Sequence, residues 1–444
     1  MIRPLVLAVC AALPATTGAQ VPTDWTIELV CRSSLDAGIA PFRLPFPSSL
    51  SSQYVSLDED GSIAIRTVLN TAAASEGIFV GSPAGGGIVL SANSPGNPIW
   101  SVYIGHRNNM FAASGPGVNG ANVYDETGTL LQSFPNGGNE GTANPGFLSL
   151  TSTGAICSRS GFGSNDKVII DEFIAGTRTQ TLIADDFSGD YQFLFAPKIN
   201  DAQQVLFNSI PTSGPARAIV RREPGGAMTT IAQTTPLWDS FVNSTDLSQA
   251  GHVAFTARRV SDGLREINIA TDNTHTRIAQ PGDLGILSSD LASFPPVVNS
   301  NALVAFRAKD ESQTTALFVG DGSSLVRIVG LGDLADTDLG PIPFGYDFGG
   351  ITGIQLLNGI IDINDNNQIA FAAFLQNGTI GVFLATPNAP CLPDVNGDGK
   401  ITPTDFTAWI NAFNNNLPEC DQNSDGSCTP TDFTAWIVNF NAGC

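Results

Sequence analysis

Three segments of this chain align residue for residue: SQAGHVAFTA (248–257), NSNALVAFRA (299–308) and NDNNQIAFAA (364–373). Weaker copies are INDAQQVLFNS (199–209), LTSTGAICSRS (150–160) and LDEDGSIAIRT (57–67), and RNNMFAAS (107–114) fills the remaining gap. The anchors are Ile65, Phe111, Cys157, Phe207, Phe255, Phe306 and Phe371, separated by 46, 46, 50, 48, 51 and 65 residues. A recurrence of this period constrains the fold strongly. Each unit is too small to bury its own apolar face, so the copies must pack on one another.

Each unit has one grammar. A polar turn of Asn, Asp or Ser with Gly precedes a short apolar run. A second run follows, such as AIVRR (218–222), INIAT (267–271) or GVFLA (381–385), and then a third, such as TTIAQ (229–233) or LVRIV (325–329). Short β-branched and aromatic runs bounded by turn residues signal strands. Helical periodicity is absent before residue 395. Gly at 46, Pro at 28 and 42% hydrophobic residues suit a turn-rich β core. Seven such sheets predict a mainly β chain with a seven-bladed β-propeller over 20–388. The last unit lacks its third strand, and WTIELVCRSS (25–34) supplies it, closing the ring. An open β-solenoid and rings of six or eight blades are the alternatives. An insertion is expected around 335–353. The pattern resembles exported bacterial tandem-repeat proteins with an N-x-x-G-x-x-A-F signature. That resemblance implies a propeller-like fold and no established activity.

Residues 1–19 read as a secretory signal peptide: Arg3, the apolar Leu5–Leu13, then Thr17-Gly18-Ala19 before a cut at Gln20. Leu7-Ala8-Val9-Cys10 departs from a lipoprotein box because Val9 is too large. No run reaches the ~20 apolar residues of a membrane span, so a secreted, soluble mature chain is expected. The net charge of −21 disfavours nucleic acid and anionic membranes. Six Cys remain after cleavage, four of them in the last 54 residues. Exported, clustered Cys read as disulfides. Three pairings are open among those four, and Cys420–Cys428 with Cys391–Cys444 is preferred.

At 389–444 the character changes. DVNGDGKITPTD (394–405) and DQNSDGSCTPTD (421–432) place oxygen side chains at loop positions 1, 3 and 5: Asp394, Asn396, Asp398 and Asp421, Asn423, Asp425. Gly399 and Gly426 stand at position 6, where the turn needs positive φ. Lys400 and Ser427 give carbonyls at position 7, Thr402 and Thr429 stand at position 9, and Asp405 and Asp432 close at position 12. A hard cation such as Ca2+ wants this many oxygens around a point, so two ions are expected. Asp at position 12 departs from the Glu of the EF-hand. Thr402 as N-cap, Pro403 at N1 and Asp405 at N3 predict a helix start. Phe406, Trp409, Ile410 and Phe413 then form one apolar face, and Phe433, Trp436, Ile437 and Phe440 repeat it. TPTDFTAWI thus occurs twice.

Two loop-then-helix copies with Asp at position 12 resemble a type I dockerin, in the variant ending in Gly-Cys. The resemblance covers 391–444 and implies a cohesin-like protein partner. Positions 10 and 11, which often read that partner, are Pro403-Thr404 and Pro430-Thr431 rather than a hydroxylated pair. Near-identity of the copies implies that either half could dock.

Elsewhere the signals are weaker. DINDNN (362–367) begins like a calcium loop but lacks the Gly and the final acid, so it reads as the repeat's turn. Gly282-Asp283-Leu284 and Gly332-Asp333-Leu334 read as turns too. With three His, a His-cluster metal site is not expected. No nucleophile elbow, phosphate loop or H-E-x-x-H motif occurs. The reading is a secreted, tethered protein with a noncatalytic propeller for binding or display, with a carbohydrate as a possible ligand. The alternative is a tethered glycosidase or polysaccharide lyase, favoured if carboxylates converge on one end of the channel.

Overall fold

A computed structural model describes residues 21–443, apart from 34–41, 44–54, 70–75, 93–103, 115–119, 142–144, 162–164, 272–273, 284–285, 287–294, 350–352, 389–390, 398–399 and 424. Residues 1–19, expected to be a signal peptide, with Cys10, and Leu284, Asp398, Gly399 and Cys444 lie outside the described residues. Two compact units meet at Thr386 and Pro387.

The first unit is a seven-bladed β-propeller of antiparallel sheets. In chain order the blades span 42–92, 105–135, 146–185, 191–233, 238–279 and 297–329, and the seventh combines 357–387 with Trp25–Arg32. That N-terminal strand pairs with Ile380–Pro387 as the outermost strand of blade 7, so the two ends of the ring share one sheet. The Ser33 amide donates to the Ile380 carbonyl at 2.7 Å. Each blade has four strand positions rather than three, and in blades 1, 4 and 5 the first position is split into two segments. The additional position is innermost and precedes the polar turn; in blade 6 it is as short as Val297–Val298, and in blade 5 it is broken into Trp238–Phe241 and Asp246–Leu247. Pairs of residues leave no visible alternation, so these strands are silent in the sequence.

There is one apolar cluster at each of the seven blade junctions. Phe255 packs between blades 4 and 5, Phe306 between 5 and 6, and Phe371 between 6 and 7. Ile65, Phe111 and Phe207 face their preceding blades in the same way. The residue before the anchor faces the other way: Ala254, Ala305 and Ala370 pack on the following blade. Side chains alternate with period two, so an Ala-Phe pair puts bulk on one face of the blade and little on the other.

Blade 3 corrects the repeat alignment. Cys157 packs toward blade 4, not blade 2. The turn register shows why: Thr151 and Gly154 open this turn as Ser248 and Gly251 open that of blade 5. Counted from there, Cys157 takes the place of Ala254, and buried Ser158 takes that of Phe255. A one-residue slip exchanges the faces of a strand. Cys157 is a free, buried thiol, as is Cys31.

The insertion forms two hairpins, Leu334–Ala335 with Ile342–Pro343 and Tyr346–Asp347 with Ile354–Gln355. Phe344 is buried against Phe371 and Phe383. Asp338 accepts two hydrogen bonds from Arg32, at 2.6 and 2.8 Å, and so ties the insertion to the closing strand.

The second unit holds α1 (Pro403–Asn415) and α2 (Pro430–Ala442). The two Trp are buried between them: Trp436 lies 5.0 Å from Phe406 and Trp409 5.4 Å from Phe433, centroid to centroid. Ile410 and Ile437, expected on the same face, are instead 40% exposed. The two Trp fill the seam, and Phe433, also expected on that face, is 39% exposed. Cys420 and Cys428 form a disulfide, with Cα atoms 5.5 Å apart. Cys391 is also disulfide-bonded.

Candidate functional site

The polar turns between the first and second strands build the mouth of the central channel. In six blades the turn is the same. The first residue (Asp58, Thr151, Asn200, Ser248, Asn299 or Asn364) donates its amide to the carbonyl four residues on and accepts from the amide three residues on. That fourth residue is left-handed, which explains Gly at 61, 154 and 251. Gln203, Ala302 and Asn367 adopt the same conformation at φ of 59°, 61° and 62°.

These turns are also bonded to one another. Asn108 N–H donates to Asp58 Oδ1 (2.9 Å), and Asn108 Nδ2 to the Ser152 carbonyl (3.1 Å). Ser152 N–H donates to Asp201 Oδ1 (2.6 Å), and Asp201 N–H to Gln249 Oε1 (2.9 Å). Ala250 N–H donates to Ser300 Oγ (3.2 Å), Ser300 N–H to Asp365 Oδ1 (2.7 Å), and Asp365 N–H to Glu59 Oε2 (2.9 Å). The path returns to blade 1 after passing through all seven. Buried Asn side chains add inner links, Asn299 Nδ2 to the Asn364 carbonyl and Asn364 Nδ2 to the Asp58 carbonyl, both at 3.0 Å. DINDNN is therefore turn and belt, and Asp283 and Asp333 each accept an amide three residues back, within their turns.

Inside this belt lies a polar cavity of about 110 Å3, lined by inner-strand and turn residues of several blades. Lys198 Nζ sits 3.0 Å from Asp246 Oδ1. Asp246 Oδ2 accepts from Val298 N–H at 2.9 Å, joining blades 5 and 6, and Asp362 Oδ2 accepts from Leu57 N–H at 2.9 Å, joining blades 7 and 1. Burial pushes the Asp362 carboxyl up to about 6, against the pull of Lys198. Lys198 is held above the usual lysine range: burial lowers it, and Asp246 and Asp362 together outweigh that. The Lys198 side chain leaves 43% of its surface open to solvent. Water in the channel therefore screens these charges. Sequence reasoning missed Lys198, Asp246 and the channel role of Asp362, because only ring closure gathers them.

In the C-terminal unit the closing acids are fully buried. Asp405 Oδ2 accepts the Thr402 amide at 2.8 Å and Oδ1 the Asn396 amide at 3.2 Å. Asp432 does the same with Thr429 (2.8 Å) and with Gln422 and Asn423 (2.9 and 3.2 Å). One Asp thus serves as N3 capping carboxylate and as the last residue of the loop. Burial raises both carboxyls, but these amides outweigh it and hold them below the usual range. Asp421 gathers the second loop, accepting from Asp425 N–H at 3.1 Å and Gly426 N–H at 2.8 Å. Asp425 Oδ1 accepts the Ser427 amide at 2.9 Å. The donor set is all oxygen, which fits a hard dication.

Residues 392–441 match the model of the dockerin type I domain. They form a dockerin domain. Dockerin domains bind calcium and cohesin modules, and the proteins that carry them are typically extracellular or at the cell surface. No helix among the described residues is long and apolar enough to cross a membrane. No curated protein matches the chain in sequence. Among solved structures, a polysaccharide lyase aligns at 9% identity, over 83% of this chain and 100% of its own, with a TM-score of 0.43. A β-propeller domain from Myceliophteria thermophila aligns at 8% identity, over 77% and 99%, with a TM-score of 0.42. A chain of the mitotic checkpoint complex aligns at 12% identity, over 86% and 98%, with a TM-score of 0.45. The propeller assignment rests on this chain's own sheet topology, and no substrate or partner is carried over from these structures.

Proposed function

We propose that this is a secreted protein tethered through its dockerin domain, with a propeller that binds or displays rather than catalyses. The reading rests on one observation: two loop-helix copies, each with a buried Asp that closes the loop and caps the helix. Two calcium ions are assigned. Asp394, Asn396, Asp398, the Lys400 carbonyl, Thr402 through water, and Asp405 hold one. Asp421, Asn423, Asp425, the Ser427 carbonyl, Thr429 through water, and Asp432 hold the other. Each dication offsets most of the charge of three loop carboxylates, and the two helices then present a face to a cohesin-like module. Calorimetric calcium titration of the full chain tests this. Two ions should bind to the wild type and none to the Asp394→Ala/Asp421→Ala double variant. An unchanged isotherm in that variant would defeat the assignment.

The propeller's site is assigned to the channel mouth. At about 110 Å3 the cavity is well below the ~300–1,000 Å3 of pockets that enclose a drug-sized ligand. It suits a small polar group, such as the end of a carbohydrate, rather than an enclosed polymer. The enzyme reading keeps one supporting observation, the convergence of Asp246 and Asp362 on Lys198. Asp362→Asn separates the two readings: loss of polysaccharide cleavage with binding retained favours the enzyme.

A further inference from the structure

His106 is a buried histidine with an incomplete hydrogen-bond logic. It lies on the innermost strand of blade 2, and none of its side-chain surface is exposed. Its Nδ1 faces the Ser56 carbonyl at 3.2 Å, which can only accept, so Nδ1 carries a proton. Its Nε2 faces Glu126 Oε1 at 2.9 Å. In the neutral ring Nε2 is a lone pair, and it would meet a second lone pair. Something positive must lie between them, either a second proton or a metal ion.

The surroundings decide between the two. Asp58, buried at the head of the blade 1 turn, brings a carboxylate oxygen into the same group; the donor atoms of Asp58, His106 and Glu126 all lie within 4.8 Å of one another. The Ser62 hydroxyl also donates to Glu126 Oε1. An imidazolium between two carboxylates leaves one net negative charge in a largely buried place. A neutral imidazole and a dication between them leave none, and removing net charge from a buried site is favourable. The tautomer agrees: a metal-bound imidazole ordinarily donates its other N–H to a carbonyl or carboxylate, as Nδ1 does here to Ser56. The donors come from three segments of two blades, so they converge only when the blades pack.

The geometry points to a divalent-cation site at the junction of blades 1 and 2, held by His106 Nε2, Glu126 and Asp58. One nitrogen with carboxylate oxygens suits zinc over calcium, which prefers oxygens alone. The site is separate from the dockerin loops.

The experiment uses the full chain, stripped with a chelator and returned to excess calcium, then titrated with zinc at neutral pH. One zinc per chain should bind. Glu126→Gln should weaken that event at least tenfold and His106→Gln should remove it, with calcium binding unchanged in both. Imidazole 1H–15N spectra provide a readout independent of variant folding, since the chain has only three His. With zinc, His106 should show a proton on Nδ1 alone and a shifted Nε2. A His106 ring protonated on both nitrogens that ignores added zinc would overturn the site and leave an ion pair. Zinc uptake of equal strength in wild type and both variants would also overturn it.

Discussion

The propeller and the dockerin domain are both built by repetition, but their repeats differ in kind. In the tail two copies share TPTDFTAWI, and each closes its own loop through its own Asp. In the propeller seven copies have drifted until one anchor is a serine, and no blade is complete alone. Its apolar clusters lie between blades and its turn hydrogen bonds run across them. A locally closed repeat keeps its residue types because each loop and cap is completed within it. A repeat stabilised by its neighbours can change as long as the junction stays filled.

The sharpest way to break this contrast is to open the ring. Removing residues 20–34 deletes the outer strand of blade 7, with Trp25, Ile27, Leu29 and Cys31 packed on adjacent clusters. At ~1.5–3 kcal/mol per buried apolar side chain, discounted because three of the four are only partly buried, the loss is about 5 kcal/mol. Thermal unfolding should show the propeller transition falling far more than after deletion of a surface turn, with calcium binding in the tail unmoved. An unchanged melting temperature would count against closure.

A single junction comes next. Phe371→Ala empties the contact with Phe344 and Phe383 and should cost about 3–5 kcal/mol in denaturant unfolding. The same measurement on Ser158→Ala should show under about 1 kcal/mol, because Ser158 holds the anchor place with little bulk.

The belt is tested by Asn299→Ala, which removes one of the two donors to the Asn364 carbonyl and takes the side-chain acceptor from the Asn301 and Leu303 amides. A loss of about 1–3 kcal/mol is expected. A neutral result would make the belt a consequence of blade packing rather than a contributor.

The smallest effect is a pH dependence. Asp362 has a folded pKa raised to about 6, so it binds its proton more tightly when folded. Its contribution is fully present below about pH 4 and is lost as pH rises through about 6. With channel water screening, roughly 1 kcal/mol should disappear across that window. Asp362→Asn should flatten the profile there.

The dockerin loops were legible because their chemistry is local. Twelve consecutive residues carry the oxygen donors of each loop, and the capping Asp is three residues from its Thr. The blade count, the closing strand and the insertion were legible through apolar periodicity. What stayed hidden is mostly non-local. The inner segments beside the turn in blades 5 and 6 are two residues long and show no period, whereas the Cys157 register is set within its own turn by Thr151 and Gly154 and is masked when the copies are aligned on the apolar anchor. Lys198, Asp246 and Asp362 look unremarkable along the chain.

The sequence by itself therefore determined two things: a repeating β unit that cannot be buried alone, and a pair of oxygen-rich loops that can close on a cation. Tertiary structure alone decided what faces the channel, which turns bond to which, and where His106 meets Glu126 and Asp58. The physical reason is distance. Hydrophobic alternation and ligand spacing act over a few residues, whereas the partners of a channel carboxylate are set by the closing of a ring whose ends lie more than 300 residues apart.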